Sequence, residues 1–338
     1  MPDTIAVAIL NWNGQSLLER YLPKLVADSK GLGKVYLVDN ASSDKSISWT
    51  QEKLPEVEII KLDDNYGYAG GYNRAIAQLE EDLVILINSD IESTPNWLEP
   101  IAARFATEPK LGALQPKILD LKDRSKFEYA GASGGYMDRL GYAFCRGRLF
   151  EVLESDEGQY DDYQECFWAT GACLAVRKTA YNEVRGLYAS LFAHMEEIDL
   201  CWKMQIQGWK VAVEPASVVY HLGGATLDAA SPKKTYLNFR NNLIILFLNL
   251  PHLESMRIIF SRLLLDGLAG LRLLSQAKLT HVWAIVRAHF AFYAMFTELY
   301  RERIKRKQKS FKSMNGLYPK SLIWAYFGQK KRKFSDLF

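Results

Sequence analysis

Leu83-Val84-Ile85-Leu86-Ile87-Asn88-Ser89-Asp90 is a continuous apolar run that stops on three small polar residues, the last an acid. Such a run reads as a strand buried on both faces. Its end delivers a carboxylate to the carboxyl edge of a parallel sheet, where ligands bind in open α/β folds. Ser93-Thr94-Pro95 reads as a helix start. Asp90 precedes that start, so capping does not account for it.

Outward from this run, strands alternate with helices: strands over 4–10, 34–39, 57–62 and 82–88, and helices over 16–27, 44–53 and 73–80. That alternation predicts a mostly parallel, Rossmann-like sheet covered on both faces. Right-handed crossovers bring the strand ends to one rim. Four of those ends are polar: Asn11-Trp12-Asn13-Gly14, Asp39-Asn40-Ala41-Ser42-Ser43-Asp44, Asp63 to Asn73, and Asn88-Ser89-Asp90. Each alone is an ordinary loop. As a set they line one rim with acceptors and pliable backbone, which suits a ligand bearing a base, a ribose and phosphates. Neither Gly-x-Gly-x-x-Gly between the first strand and helix nor a Gly-x-x-x-x-Gly-Lys-Ser/Thr loop occurs, which disfavours nicotinamide and P-loop chemistry.

Beyond a less readable middle (112–164), Ala169-Thr170-Gly171-Ala172 offers close backbone approach or a packing contact. In His194-Met195-Glu196-Glu197-Ile198-Asp199, three acids fall in the first turn of a helix that ends at Gly208. Acids there commonly complement the helix dipole. Adjacent acids do not share a face, so one can look onto the rim while the other makes a structural contact. His221, at a strand end before Gly223-Gly224, can meet Asp90 across the rim; a lone histidine is more often structural.

The order of Asn11-Trp12-Asn13, Asp39 to Asp44, Asn65-x-Gly-x-x-Gly-Gly-x-Asn73, Asn88-Ser89-Asp90, Glu196-Glu197-x-Asp199 and His221 resembles the family 2 glycosyltransferases, and within them the rhamnosyltransferase-like enzymes of bacterial surface polysaccharides. It covers roughly residues 4–225, with a weaker match at Lys234-x-Tyr236-x-x-x-Arg240-Asn241. The resemblance implies a GT-A fold over residues 1–225, a nucleotide-sugar donor of dTDP-rhamnose or UDP-hexose type, a Mg²⁺ or Mn²⁺ ion, inversion at the anomeric carbon and a lipid-linked glycan acceptor. By it, Asn11, Asn13, Asp39, Asn65, Gly67, Gly71, Asn73, Asn88, Ser89 and Asp90 face the donor. Asp90 and His221 hold the metal, Glu197 is the general base with Glu196 second, and Gly171 and Asp199 lie on the acceptor side. Asn88-Ser89-Asp90 has one acid where the family's Asp-x-Asp has two, and Glu-Glu replaces the commoner Glu-Asp. Two other readings are a catalytically silent nucleotide- or glycan-binding subunit and a sugar nucleotidyltransferase, though the first strand lacks the latter's phosphate loop.

Residues 226–300 are helical and apolar, interrupted by Arg262, Asp266, Arg272, Arg287 and His289, so none reads as a clean membrane span. They pack on protein, as in a homo-oligomer, or lie in a membrane interface. Residues 301–338 hold twelve Lys or Arg against Glu302 and Asp336, a net +10 that leaves −7 for the rest of a +3 chain. This basic tail beside apolar helices predicts peripheral contact with anionic lipid on the cytoplasmic face of the plasma membrane, rather than nucleic acid. Four scattered cysteines and no leader-like N-terminus fit a reducing compartment.

Overall fold

The computed structural model describes residues 5–223 and 231–338; the domain boundary expected at 225 lies outside them. The chain runs β1 (Ile5–Asn11), α1 (Gln15–Ser29), β2 (Gly33–Asp39), α2 (Ser46–Lys53), β3 (Glu58–Lys61), α3 (Gly67–Ile76), β4 (Leu83–Ile87), β5 (Ile91–Ser93), α4 (Leu98–Thr107) and β6 (Leu111–Asp120). Short strands follow: β7 (Gly135–Asp138), β8 (Ala143–Cys145), β9 (Arg148–Leu149), β10 (Val152–Leu153) and β11 (Gln164–Glu165). Then come β12 (Cys173–Arg177), α5 (Lys178–Glu183), α6 (Glu196–Gln207) and β13 (Lys210–His221). Helices α7 (Pro232–Asn249), α8 (His252–Ser275), α9 (Leu279–Ala294) and α10 (Phe296–Arg303) precede a last short strand, β14 (Leu317–Tyr318).

Among the described residues the main sheet has the order β11-β13-β6-β12-β4-β1-β2-β3, with β5 on β13. Strands β4, β1, β2 and β3 are mutually parallel, while β12 runs antiparallel between β4 and β6. The period of two along β1, β2 and β4 is visible in the packing: Ala6, Ala8, Val38, Val84 and Leu86 enter one core, and Val7, Ile9, Leu37, Ile85 and Ile87 the other.

Boundaries differ from expectation where side chains made tertiary contacts. Helix α3 begins at Gly67, six residues early, because its glycines are packing residues: a Cβ on Gly71 would lie 2.7 Å from Leu10 Cδ1. Helix α4 starts at Leu98, while Ser93 belongs to β5 and donates its hydroxyl to Asp28 at 2.5 Å. Strand β13 runs unbroken to His221, with register shifts between Lys210 and Val211 and between Glu214 and Val218.

The less readable middle supplies β7–β10 of a second sheet, closed by β14 pairing parallel with β7. Residues 301–338 are therefore not a detached tail. Phe311 stacks on Trp202 of α6 at 4.8 Å, and Asn315 and Gln205 exchange hydrogen bonds (2.8 and 3.4 Å). Two of the segment's arginines turn inward: Arg303 donates to Leu250 O at 2.8 Å and Arg306 to Asp199 at 2.7 Å. The expected polybasic patch is depleted accordingly.

Candidate active site

β1 and β2 end in register, Asn11 beside Asp39. The Ser42 hydroxyl accepts from Asn11 Nδ2 (3.2 Å) and Asn13 N (2.9 Å), and Asn13 Oδ1 accepts from Ser43 N (2.8 Å), which folds two loops into one surface. Asp39 is buried. Its Oδ2 accepts from Ser42 N at 3.1 Å, while its Oδ1 and Asn11 Oδ1 have no partner. Orphaned buried acceptors are costly, so two at neighbouring strand ends mark a place where a ligand's donors would be accepted.

The loop before α3 divides into rim and scaffold. Asn65 is exposed, with Oδ1 accepting from Asn40 Nδ2 (2.9 Å) and Gly67 N (3.0 Å). Gly67 adopts φ 66°, and a Cβ there would come 3.0 Å from the Phe192 ring. Asn73 is turned away: Nδ2 donates to Leu187 O (2.8 Å) and Oδ1 accepts from Tyr181 Oη (2.6 Å) and Leu187 N (3.0 Å). Gly71 is pressed on Leu10 and the Asn73 side chain is engaged by the 181–187 loop, so in this structure both serve the scaffold of the rim.

At the end of β4, Asn88 and Ser89 are half-buried, and Asn88 N donates to Ala172 O at 2.9 Å. Asp90 is buried, its Oδ1 3.2 Å from His221 Nε2. On the other side of the ring, Nδ1 lies 3.3 Å from Glu128 Oε1. Burial disfavours the charged imidazole, but hydrogen bonds with Asp90 and Glu128 overcome it and push its pKa up to about 10. Glu128 was not legible in sequence, since nothing in the irregular 112–164 stretch announces it.

Across β12 lies α6. Tyr68 donates to Gly171 O at 2.7 Å, and a Cβ on Gly171 would stand 2.8 Å from Tyr68 Oη and 3.7 Å from Glu197 Cβ. Gly171 therefore joins the β12 rim to the α6 glutamates. Glu196 and Glu197 each carry a buried Oε2 without a partner. Burial raises the pKa of both, Glu196 well above the carboxylate range with its neighbour's charge adding to the effect. Asp199, expected on the acceptor side, is turned into the protein. It has no exposed surface and is bound by Arg306 Nη1 (2.7 Å) and Asn249 Nδ2 (2.7 Å), with Lys203 at 3.6 Å. Burial works against its charge, but Arg306 and Lys203 hold its pKa below the ordinary value. Asp199 is a strut of α6.

The approach to α6 is strained: Phe192, His194 and Met195 all have positive φ, at 66°, 66° and 71°. Asn241 of α7, fully buried, holds this turn by directing Nδ2 to Leu191 O (2.9 Å), Ala193 O (2.9 Å) and His194 O (2.7 Å). Arg240 adds a bond to Leu191 O at 3.0 Å. The Lys234-to-Asn241 motif was thus the available sign of these residues.

Among the described residues, no three or more His, Cys, Asp and Glu side chains converge to hold a metal on their own. Asp90 and His221 stand side by side, and His221, flanked by carboxylates at both ring nitrogens and protonated without an ion, would become a donor only by releasing its Nε2 proton as the metal binds, with Glu128 holding Nδ1–H. They fit a Mg²⁺ or Mn²⁺ that draws its other ligands from water and substrate phosphates.

Residues 2–235 match the family described as Glycosyltransferase like family 2. Among curated proteins the chain is 28% identical over 260 residues to an N-acetylglucosaminyl-diphospho-decaprenol L-rhamnosyltransferase of Mycobacterium tuberculosis, covering 70% of this chain and 84% of the relative. It is 21% identical over 251 residues to the low-salt glycan biosynthesis hexosyltransferase Agl10 of Haloferax volcanii, covering 72% and 76%. Among solved structures it resembles the mannosyltransferase PcManGT from Pyrobaculum calidifontis in complex with GDP-Man and Mn²⁺, with TM-score 0.52 and 12% identity, covering 87% of this chain and 88% of that one. It also resembles GalNAc-T7 with UDP, GalNAc and Mn²⁺, with TM-score 0.56 and 15% identity; there it covers 73% of this chain but only about half, 48%, of the other. These likenesses show the GT-A fold. By the match over residues 2–235, the chain belongs to glycosyltransferase family 2 and is a glycosyltransferase.

Proposed function

We propose that the enzyme transfers one sugar, with inversion, from a nucleoside-diphosphate sugar to a hydroxyl of a lipid-linked glycan at the cytoplasmic face of the plasma membrane. The observation that carries this reading is the Glu196–Glu197 pair: buried Glu196 beside half-buried Glu197, each with a buried oxygen that has no partner among the described residues. Burial raises the Glu197 pKa to about 7, as general base catalysis requires, and pushes that of Glu196 well above the carboxylate range. Glu197, beside Gly171, accepts the acceptor hydroxyl's proton as that oxygen attacks the anomeric carbon and the bond to the diphosphate breaks. Glu196 keeps the local charge low by holding its own proton. Asp39 and Asn11 accept N–H or O–H groups of the nucleoside through their free oxygens, with Asn13 and Asn65 on the same surface. Asn88 and Ser89 border the phosphates.

Asp90 and His221 would hold Mg²⁺ or Mn²⁺, whose charge, when bound, neutralises the departing diphosphate. The diphospho-decaprenol acceptor named for the rhamnosyltransferase relative supports the lipid-linked class, and the nucleotide complexes of the structural neighbours support the donor class.

A panel of dTDP-, UDP- and GDP-sugars tests this by thermal shift with and without Mn²⁺, followed by NMR of the product anomer. The expected result is stabilisation by one nucleotide class only when the ion is present, and an inverted product. No stabilisation by any donor sinks the donor claim, and a retained anomer removes Glu197 as base.

A further inference from the structure

Among the described residues, helix α8 carries an unpartnered apolar face. Leu253, Phe260, Leu264, Leu268, Leu271 and Leu274 are each at least half exposed. At 100° per residue they fall in one stripe about 120° wide, running the length of a helix roughly 36 Å long. The opposite side is anchored in protein: Arg262 is buried and donates to Asn242 Oδ1 at 2.6 Å, with Asp266 buried beside it. Helix α9, packed on α8, adds Trp283 and Phe290, 61% and 70% exposed. Scattered exposed apolar residues are ordinary, but a continuous stripe of this extent marks an interaction surface.

Charge identifies what covers it. From Ser255 to Thr297 every exposed charged side chain is a cation: Arg257, Arg272, Lys278 and Arg287. A two-fold pairing with a second copy would bring this face against itself and oppose cations to cations. An anionic lipid surface complements both the stripe and the charges. Among the described residues no helix is long and apolar enough to cross a membrane.

We infer that α8 lies along the interface of an anionic bilayer, its leucine stripe among the acyl chains and Arg257, Arg272, Lys278 and Arg287 at the headgroups. This replaces the basic segment after residue 301 as the principal contact. It deepens the proposed reading, which places the acceptor on a lipid, and is tested without using transfer as its readout.

The full chain is sedimented with phosphatidylcholine vesicles, with and without phosphatidylglycerol, at low and high salt. The wild type is expected to pellet with the anionic vesicles, less so at high salt. The exposed-site variant Leu264→Glu/Leu268→Glu/Leu271→Glu and the variant Arg257→Ser/Arg272→Ser/Lys278→Ser/Arg287→Ser, each checked for native circular dichroism, are expected to lose binding about tenfold or more. Donor turnover without vesicles is expected to be unchanged in both. Wild-type protein that stays in the supernatant, or variants that pellet like wild type, would overturn the inference. So would a concentration-dependent dimer abolished by the leucine substitutions, which would assign the face to a second copy. If the transferase reading alone were wrong, vesicle binding would persist while donor turnover was absent.

Discussion

The two sides of the cleft are built by different means. On the donor side, Asn11, Asp39 and Asp90 stand at the ends of β1, β2 and just past β4, adjacent parallel strands whose apolar runs fix the register. Their positions follow from local pattern and one sheet. On the base side, Glu196 and Glu197 sit at the start of α6 after a turn with three positive-φ residues, held by Asn241 from α7 and by Arg306 from beyond α10. The donor side is assembled by the sheet; the base side depends on segments 45 to 110 residues away in sequence. Substitutions far from the cleft should therefore damage proton transfer much more than donor binding.

The sharpest test lies at the base itself. Glu197→Gln keeps the size of the side chain and removes its basicity, so transfer should fall about 10²–10⁴-fold. Donor affinity, read by thermal shift or calorimetry, should stay within about twofold, roughly 0.4 kcal/mol. A parallel loss of donor affinity would merge the two sides.

Arg306 comes next. Arg306→Met leaves Asp199 buried with only Asn249 and Lys203 beside it, which should destabilise the fold by about 3–5 kcal/mol in urea unfolding. Asp199→Asn/Arg306→Met removes the stranded charge and should recover most of that loss. If the single variant unfolds like wild type, the strap does not hold α6.

Asn241→Ala removes the side-chain donor to the carbonyls of Ala193 and His194 and leaves Leu191 O held only by Arg240 and Ala193 N. The strained turn should relax and displace Glu197, lowering kcat about 10- to 100-fold with little change in the donor KM. A merely destabilised protein would instead lose active fraction, which active-site titration distinguishes; a KM effect equal to the kcat effect would remove Asn241 as a positioning residue.

This division also explains what could be read from sequence. The strands alternate visibly because both faces of β1, β2 and β4 are buried, and Asp90 was legible because a polar residue interrupts that pattern at a strand end. The acids of α6 were legible as a cluster but not as individuals. Asp199 is set apart from Glu197 chiefly by Arg306 and Asn249, partners 107 and 50 residues away that no local pattern connects to it. The packing of Gly71 and Asn73 was illegible for a related reason: glycine and asparagine serve ligand contact and close packing equally well, and the contacts with Leu10 and Tyr181 come from distant parts of the chain. The segment after residue 301 looked like a free polybasic tail because charge is counted without regard to direction, and Arg303 and Arg306 point inward.

The smallest effect concerns Glu196, whose burial is an energetic cost borne by the site. Its folded-state pKa is raised above the ordinary carboxylate value by burial and by Glu197. The native state therefore holds a proton that the unfolded chain releases as pH rises. Stability should fall from the carboxylate range upward and level off only above the raised pKa. Glu196→Gln removes that slope, so the variant should match wild type near pH 4 and be the more stable of the two at pH 8, as urea unfolding at the two pH values would show. No equivalent gain is expected from Asp199→Asn, whose pKa is depressed and whose charge stabilises the fold above the acid range. Equal pH profiles for wild type and Glu196→Gln would mean that Glu196 is ionised and solvated in the native protein, and the base side would lose the low-charge setting on which the role of Glu197 depends.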